Sequence, residues 1–254
     1  MNAHAARVWI GSAVVLATAG SVWAGHGVQS GDPAQRGLSG ADRIVAGLEA
    51  TSARETRQVA SFTTTKTFTI EHDGETRAQI VAALRFTAPD VKAFAVTANR
   101  GSDFLRGRVI DRMMAAEIET TQLRRNASVA ISPANYEFAS LREDGDAFVI
   151  EALPRRKDEL LFKGRIWITR EGFHLARIEG EPARNPSFWT RRIHFVSEYA
   201  PVNGVWLLVR TVATVTVRWF GEYVVRSECG PYEMVLMPEA APDQRSVGAN
   251  RPAR

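Results

Sequence analysis

The side chains able to do acid, base, metal or nucleophilic chemistry are few and scattered. His72, His174 and His194 stand far apart, and none has the His-x-x-x-His spacing that puts two imidazoles on one metal. Cys229 is the only cysteine, so the chain holds no Cys-x-x-Cys pair and no intramolecular disulfide. A lone thiol with no basic partner stays protonated and inert. No Gly-x-Ser-x-Gly elbow and no phosphate-cradling glycine loop occurs. Asp144 and Asp146 flank Gly145, which a turn accounts for. The pair Met113-Met114 reads as adaptable core rather than a ligand box. The chain therefore reads as a non-enzyme with no cofactor and no metal. A cluster of His194 with two carboxylates beside a pocket is the arrangement that would reverse that reading.

The apolar residues are more informative. In the run Val205–Phe220 the odd positions carry Val205, Leu207, Val209, Val215, Val217 and Trp219. The even positions carry Trp206, Leu208, Val212 and Phe220. A strand apolar on both faces is covered on both. The cover is either helices on one face and loops on the other, or the walls of a cavity that holds an apolar ligand. The stretch from Gly180 to Trp189 breaks the strand pattern with two prolines and an asparagine, then ends in two aromatics. It reads as a long connection whose aromatics dock on the core; its rival role is partner binding through Asn185, Phe188 and Trp189. The basic Arg155-Arg156-Lys157 precedes Asp158 and Glu159 and reads as a solvated turn.

These residues need elements to position them. Ser39 is placed to cap a helix, with Asp42 three residues on and Ala41, Ile44, Val45 and Leu48 on one face. That helix is expected to end near Thr51. A threonine-rich strand follows over 56–70, with Phe62, Phe68 and Ile70 on its even face. Asp73-Gly74 marks a hairpin. Residues 76–87 alternate cleanly, Ala78, Ile80, Ala82, Leu84 and Phe86 on one face, and 91–97 form a third strand. Ser102 caps a second helix expected to run to about Arg124, with Leu105, Val109, Met113 and Ala116 inward and Asp111, Arg112, Glu117 and Glu119 toward water. Beyond it, strands are expected over 147–152, 160–169, 174–179, 191–199, 205–220 and 223–229, with turns at Asp144-Gly145, Glu171-Gly172 and Asn203-Gly204. Long strands joined by tight turns form a meander that twists and curls as it grows. The expected fold is α+β: a large curved antiparallel sheet, an incomplete β-barrel, with two or more helices covering the concave face.

The ends differ in character. Residues 1–24 read as a signal peptide: Arg7, an uncharged and mostly apolar run from Val8 to Gly20, then Val22-Trp23-Ala24 before a cleavage point. The run falls short of the roughly 20 residues a membrane span needs. Residues 25–38 read as a flexible lead-in, 39–237 as one folded domain, and 238–254 as a disordered tail. The chain is expected in the periplasm, with membrane contact transient at most. Its net charge of +4 is too small and too dispersed for a nucleic-acid binder.

Four segments carry a resemblance. Leu153-Pro154-Arg155-Arg156-Lys157, Leu161-Phe162-Lys163-Gly164-Arg165-Ile166-Trp167-Ile168, Ile178-Glu179-Gly180-Glu181-Pro182-Ala183 and Asn185-Pro186-Ser187-Phe188-Trp189 resemble exported bacterial proteins. These are placed with the outer-membrane lipoprotein-sorting, LolA/LolB-like superfamily. The resemblance is best over 136–222. It implies a curved, incomplete antiparallel barrel whose cavity holds the acyl chains of a lipoprotein crossing the periplasm, or a relative that senses envelope stress. No motif around Arg57, Arg77 or Arg85 places the family's gating arginine, so no residue role is carried over by position. The expected function is a non-enzymatic binding protein sheltering a lipid acyl chain or lipoprotein. Its alternative is an envelope sensor or scaffold that binds another protein through sheet edges and the 180–189 loop. Candidate cavity residues are Phe62, Phe68, Ile80, Leu84, Phe86, Trp167, Phe195, Leu207, Val209 and Trp219.

Overall fold

The computed structural model describes residues 39–238, with only the backbone described at 123 and 124. The leader, the lead-in and all of the tail but Pro238 lie outside the described residues. Helix α1 (Gly40–Gln58) begins as its sequence indicates: the Asp42 N–H donates to Ser39 Oγ at 3.1 Å, and the Ser39 hydroxyl donates to Asp42 Oδ2 at 2.8 Å. It runs to Gln58 rather than stopping near Thr51. Tertiary contacts outweigh the weak helix propensity of its last turns. The Thr51 hydroxyl donates to the Gly172 carbonyl at 2.7 Å, and Glu55 Oε1 accepts from the Trp206 N–H at 3.0 Å. Gly47 lets the helix approach closely, because a Cβ there would lie 2.8 Å from the Phe173 ring.

A meander follows: β1 (Val59–His72), β2 (Glu75–Thr87) and β3 (Val91–Gly101). Asp73 and Gly74 both take positive φ, the hairpin geometry their types favour, and so do Asn203 and Gly204. A short α2 (Asp103–Leu105), capped by Ser102, leads through a π-helical turn at Arg106–Ile110 into α3 (Asp111–Thr121). The expected single helix to Arg124 is therefore segmented. Gln122 is extended, and a separate α4 (Leu123–Val129) follows. The remaining strands are β4 (Tyr136–Asp144), β5 (Ala147–Pro154), β6 (Phe162–Thr169), β7 (Leu175–Pro182), β8 (Thr190–Val202), β9 (Val205–Val217), β10 (Gly221–Cys229) and β11 (Glu233–Leu236). The sequence pattern passed over β4 and β11. The first is a charged edge strand bulged at Ser140, and the second has four residues.

All eleven strands form one antiparallel sheet in the order β3-β2-β1-β10-β9-β8-β7-β6-β5-β4, open between β3 and β4, with β11 pairing the start of β1. It is a curved, incomplete barrel with helices on its concave side. Most of that side is filled by the protein itself. Ile44, Val45 and Leu48 of α1, with Val109, Ile110 and Met113, pack on Phe68, Ile80, Ile166, Ile178, Phe195 and Val215. Burying each such aliphatic or aromatic side chain contributes about 1.5–3 kcal/mol.

Candidate functional site

The filling stops short of one end of the sheet. There, beside the last two turns of α1 (Ser52, Glu55 and Thr56), a cavity of about 110 Å³ opens between that helix, the first half of β1, the end of β2, the start of β9 and α3. Its apolar wall is Val59, Phe62, Leu84, Phe86 and Val205 to Leu208, with Pro89, which follows a cis bond, at the β2–β3 turn. Phe62 and Phe86 stack with ring centroids 5.1 Å apart. The doubly apolar run of β9 thus divides. Over 211–217 its odd face lies in the core against helices, and over 205–208 both faces meet the cavity.

Position along the strand, rather than parity, separates the predicted residues. Phe62, Leu84, Phe86 and Leu207 line the cavity. Phe68, Ile80 and Phe195 are sealed in the core. Val209 lies opposite the irregularity at Glu198/Tyr199, where Arg210 and Leu208 pair with successive residues, and it does not line the cavity. Trp167 is on the outer face, where its Nε1–H donates to Asp144 Oδ2 at 3.2 Å. Trp219 is 79% exposed, because β9 ends at Val217 and residues 218–220 form a turn. Its place is at the far end of the sheet.

None of the four charged residues on the cavity wall, Glu55, Lys66, Lys92 and Glu117, is among the predicted site residues. Lys66 is 1% exposed and ion-pairs with Glu117 Oε1. Lys92 Nζ lies 3.8 Å from Glu117 Oε2, and both side chains are buried. Glu117 was expected to face water. The structure turns it inward, since it follows Met113 by one helical turn on the buried stripe. Lys66 shares the parity of Phe68 and Ile70, and Lys92 pairs across strands with the inward Phe86. Burial pushes the Lys92 pKa below the ordinary lysine value and Lys66 adds to this, while Glu117 pulls the other way. Burial also raises the Cys229 thiol, which lines the same cavity, so it is no ready nucleophile. Tyr232 closes the wall by donating to the Leu208 carbonyl at 2.6 Å. Glu55, the other carboxylate there, is engaged by the Trp206 N–H and by His174 Nδ1 at 2.8 Å.

No family model and no curated protein matches the chain. Solved structures do. One is a DUF1329 family protein from Desulfovibrio piger, at 8% identity over 78% of this chain and 94% of that one, TM-score 0.41. A second is an outer membrane lipoprotein-sorting protein domain from Vibrio parahaemolyticus, at 11% over 80% and 96%, TM-score 0.41. A third is a LolA superfamily protein from Nitrosomonas europaea, at 12% over 79% and 96%, TM-score 0.35. The likeness is one of fold.

Two other places bear on the sequence reading. On the outer face His194 Nε2 lies 3.6 Å from Glu179 Oε1, in a hollow that Glu151 and Glu181 also line. Glu179 is taken by Arg165 at 2.8 Å and Arg177 at 2.9 Å. Its partial burial would raise its pKa, but these guanidiniums outweigh that and hold it below the usual carboxylate value. His194 is 43% exposed and Glu179 is already engaged by two guanidiniums, so the cluster is a solvated ion network. At the far end of the sheet, the Asn185 amide donates to the Thr190 and Arg191 carbonyls, each at 3.3 Å, and so shapes the 183–189 loop. Trp189 packs edge-on to Trp219 at 5.3 Å, and Phe188, 73% exposed, lies under the Arg218 guanidinium at 4.7 Å. Trp189 is the partly buried one of this pair, and Phe188 does not dock on the core as expected.

Proposed function

We propose that the protein is a non-enzymatic binding protein of the periplasm that shelters the end of a lipid acyl chain. Such a role suits lipoprotein acyl chains on their way to the outer membrane. The observation that carries the reading is the apolar cavity left where the helices stop covering the sheet. Each methylene that enters it gains about 0.8 kcal/mol by leaving water. The leader-like composition of residues 1–24 supports a location outside the cytoplasm. Native mass spectrometry of the protein mixed with 1-decanol is expected to show one adduct, abolished by Leu207→Trp, which fills the cavity. Absence of any adduct with single-chain probes overturns the reading.

A second reading has its own observation. The exposed Phe188 and Trp219 form an aromatic tip, the surface through which a sensor or scaffold would hold an envelope protein. Pull-down from envelope extract with wild type and Phe188→Ala/Trp219→Ala tests it; unchanged recovery of partners counts against the tip.

A further inference from the structure

The cavity is largely apolar, yet two ammonium groups, Lys66 and Lys92, and two carboxylates, Glu55 and Glu117, are built into its wall. Lys66 and Glu117 form a close pair. Lys92 is left over. Its side chain is 6% exposed, and its nearest partner among the described residues is Glu117 Oε2 at 3.8 Å, beyond hydrogen-bond reach. Glu117 Oε2 itself is buried with no hydrogen-bond donor. Glu55 serves neither lysine: it is committed to His174 and the Trp206 N–H and lies outside ion-pair distance of both. Lys92 is therefore a buried ammonium held only by one long ion pair to a carboxylate already paired with Lys66, an expensive arrangement unless something else pairs with it.

We propose that the occupant of this cavity is an anionic amphiphile, a single apolar chain ending in a carboxylate or phosphate, and that Lys92 is the counter-ion for its charged end. The apolar wall of Phe62, Leu84, Phe86 and Leu207 takes the chain, and Lys92, seated beside Phe86 across the β2–β3 ladder, takes the charge. The charged end arrives deprotonated, donates nothing, and accepts from the Lys92 ammonium. The pairing supplies Lys92 with the partner that Glu117 at 3.8 Å does not provide. This inference rests on the acyl-chain reading and adds the chemistry of the head.

The test is isothermal titration of the full chain with decanoate, decyl phosphate and 1-decanol, which share one chain length and differ in charge. At least one of the two anions is expected to bind about tenfold tighter than the alcohol, the worth of one charged hydrogen bond. The tighter anion identifies the end group as carboxylate or phosphate. In Lys92→Met the ratio of anion to alcohol affinity is expected to fall to near one. Equal or weaker binding of both anions by the wild type overturns the counter-ion role but leaves the acyl-chain reading standing. A ratio that persists in Lys92→Met, when circular dichroism shows the variant folded, overturns it too. Binding of none of the three overturns the acyl-chain reading itself.

Discussion

The two ends of the sheet solve opposite problems. At the cavity end, charge is hidden: Lys66, Lys92 and Glu117 are buried among Phe62, Phe86 and Leu207. At the far end, apolar surface is shown: Phe188 and Trp219 stand in water over a loop and a turn. The same strands, β1, β8 and β9, run from one to the other. A buried ion is stabilised only by its partners, so the first end is sensitive to single changes. An exposed ring contributes little to folding, so the second tolerates them.

The contrast breaks most sharply at Glu117. Glu117→Gln leaves two buried ammonium groups facing each other, and stability is expected to fall by about 3–5 kcal/mol. Urea denaturation followed by circular dichroism measures it. A loss under about 1 kcal/mol would mean that the lysines reach solvent.

Whether that sensitivity belongs to the cavity end alone is tested at Glu49, a half-buried residue of α1 that does not line the cavity. Burial pushes its carboxyl up to about 6 from an ordinary 4.5. A raised carboxyl stabilises the fold while it holds its proton and loses that contribution as pH rises. Between 4.5 and 6 the unfolded chain ionises first, so stability falls across that window and the cost is full above it. Glu49→Gln is expected to gain at most about 1 kcal/mol at pH 7, since solvent screens a half-exposed group, and nothing at pH 4, read as the difference in urea midpoints.

The sequence makes the scaffold legible and the charged part of the cavity illegible, for physical reasons. Ser39 with Asp42, Asp73-Gly74, Asn203-Gly204 and the alternation from Ala78 to Phe86 are local signals, fixed within a few residues, and the structure agrees with each. The apolar wall was half legible: Phe62, Leu84, Phe86 and Leu207 lie on it, while Phe68, Ile80 and Phe195 share their pattern but meet helices instead. Which inward residue meets a helix depends on where α1 and α3 end, and tertiary bonds from Thr51 and Glu55 set the end of α1. Glu117 is expected outward by residue type and Lys66 goes unremarked, although the parity of Phe68 and the spacing from Met113 put both inward. Trp219 was read as strand because no glycine or proline interrupts the run before Gly221, yet its backbone turns at φ 63°.

Lys92 gives an effect of the opposite sign to Glu117. Its pKa is lowered by burial, so between that lowered value and 10.5 the folded state holds fewer protons than the unfolded one. Stability therefore rises with pH across that window, and the protonated lysine is a cost at neutral pH. Lys92→Met, apolar and of similar length, is expected to gain about 1 kcal/mol in the urea midpoint. A loss of that size would show that Glu117 needs both lysines.

The smallest expected effect is at the aromatic tip. Trp219→Ser with Phe188→Ser removes rings that are 79% and 73% exposed, so their area is largely in water in both states. The remaining contacts are the edge-on Trp189 ring and the Arg218 cation, which are worth little at the surface. Trp219 also pays for a left-handed backbone that a serine bears no better, so no strain is relieved. The double variant is expected to stay within about 0.5 kcal/mol of wild type by urea denaturation. A larger loss would make the tip part of the core and end the contrast between the two ends. An unchanged midpoint means the rings are held in water for something other than folding, and a drop in partner recovery with the double variant is the result that would say what.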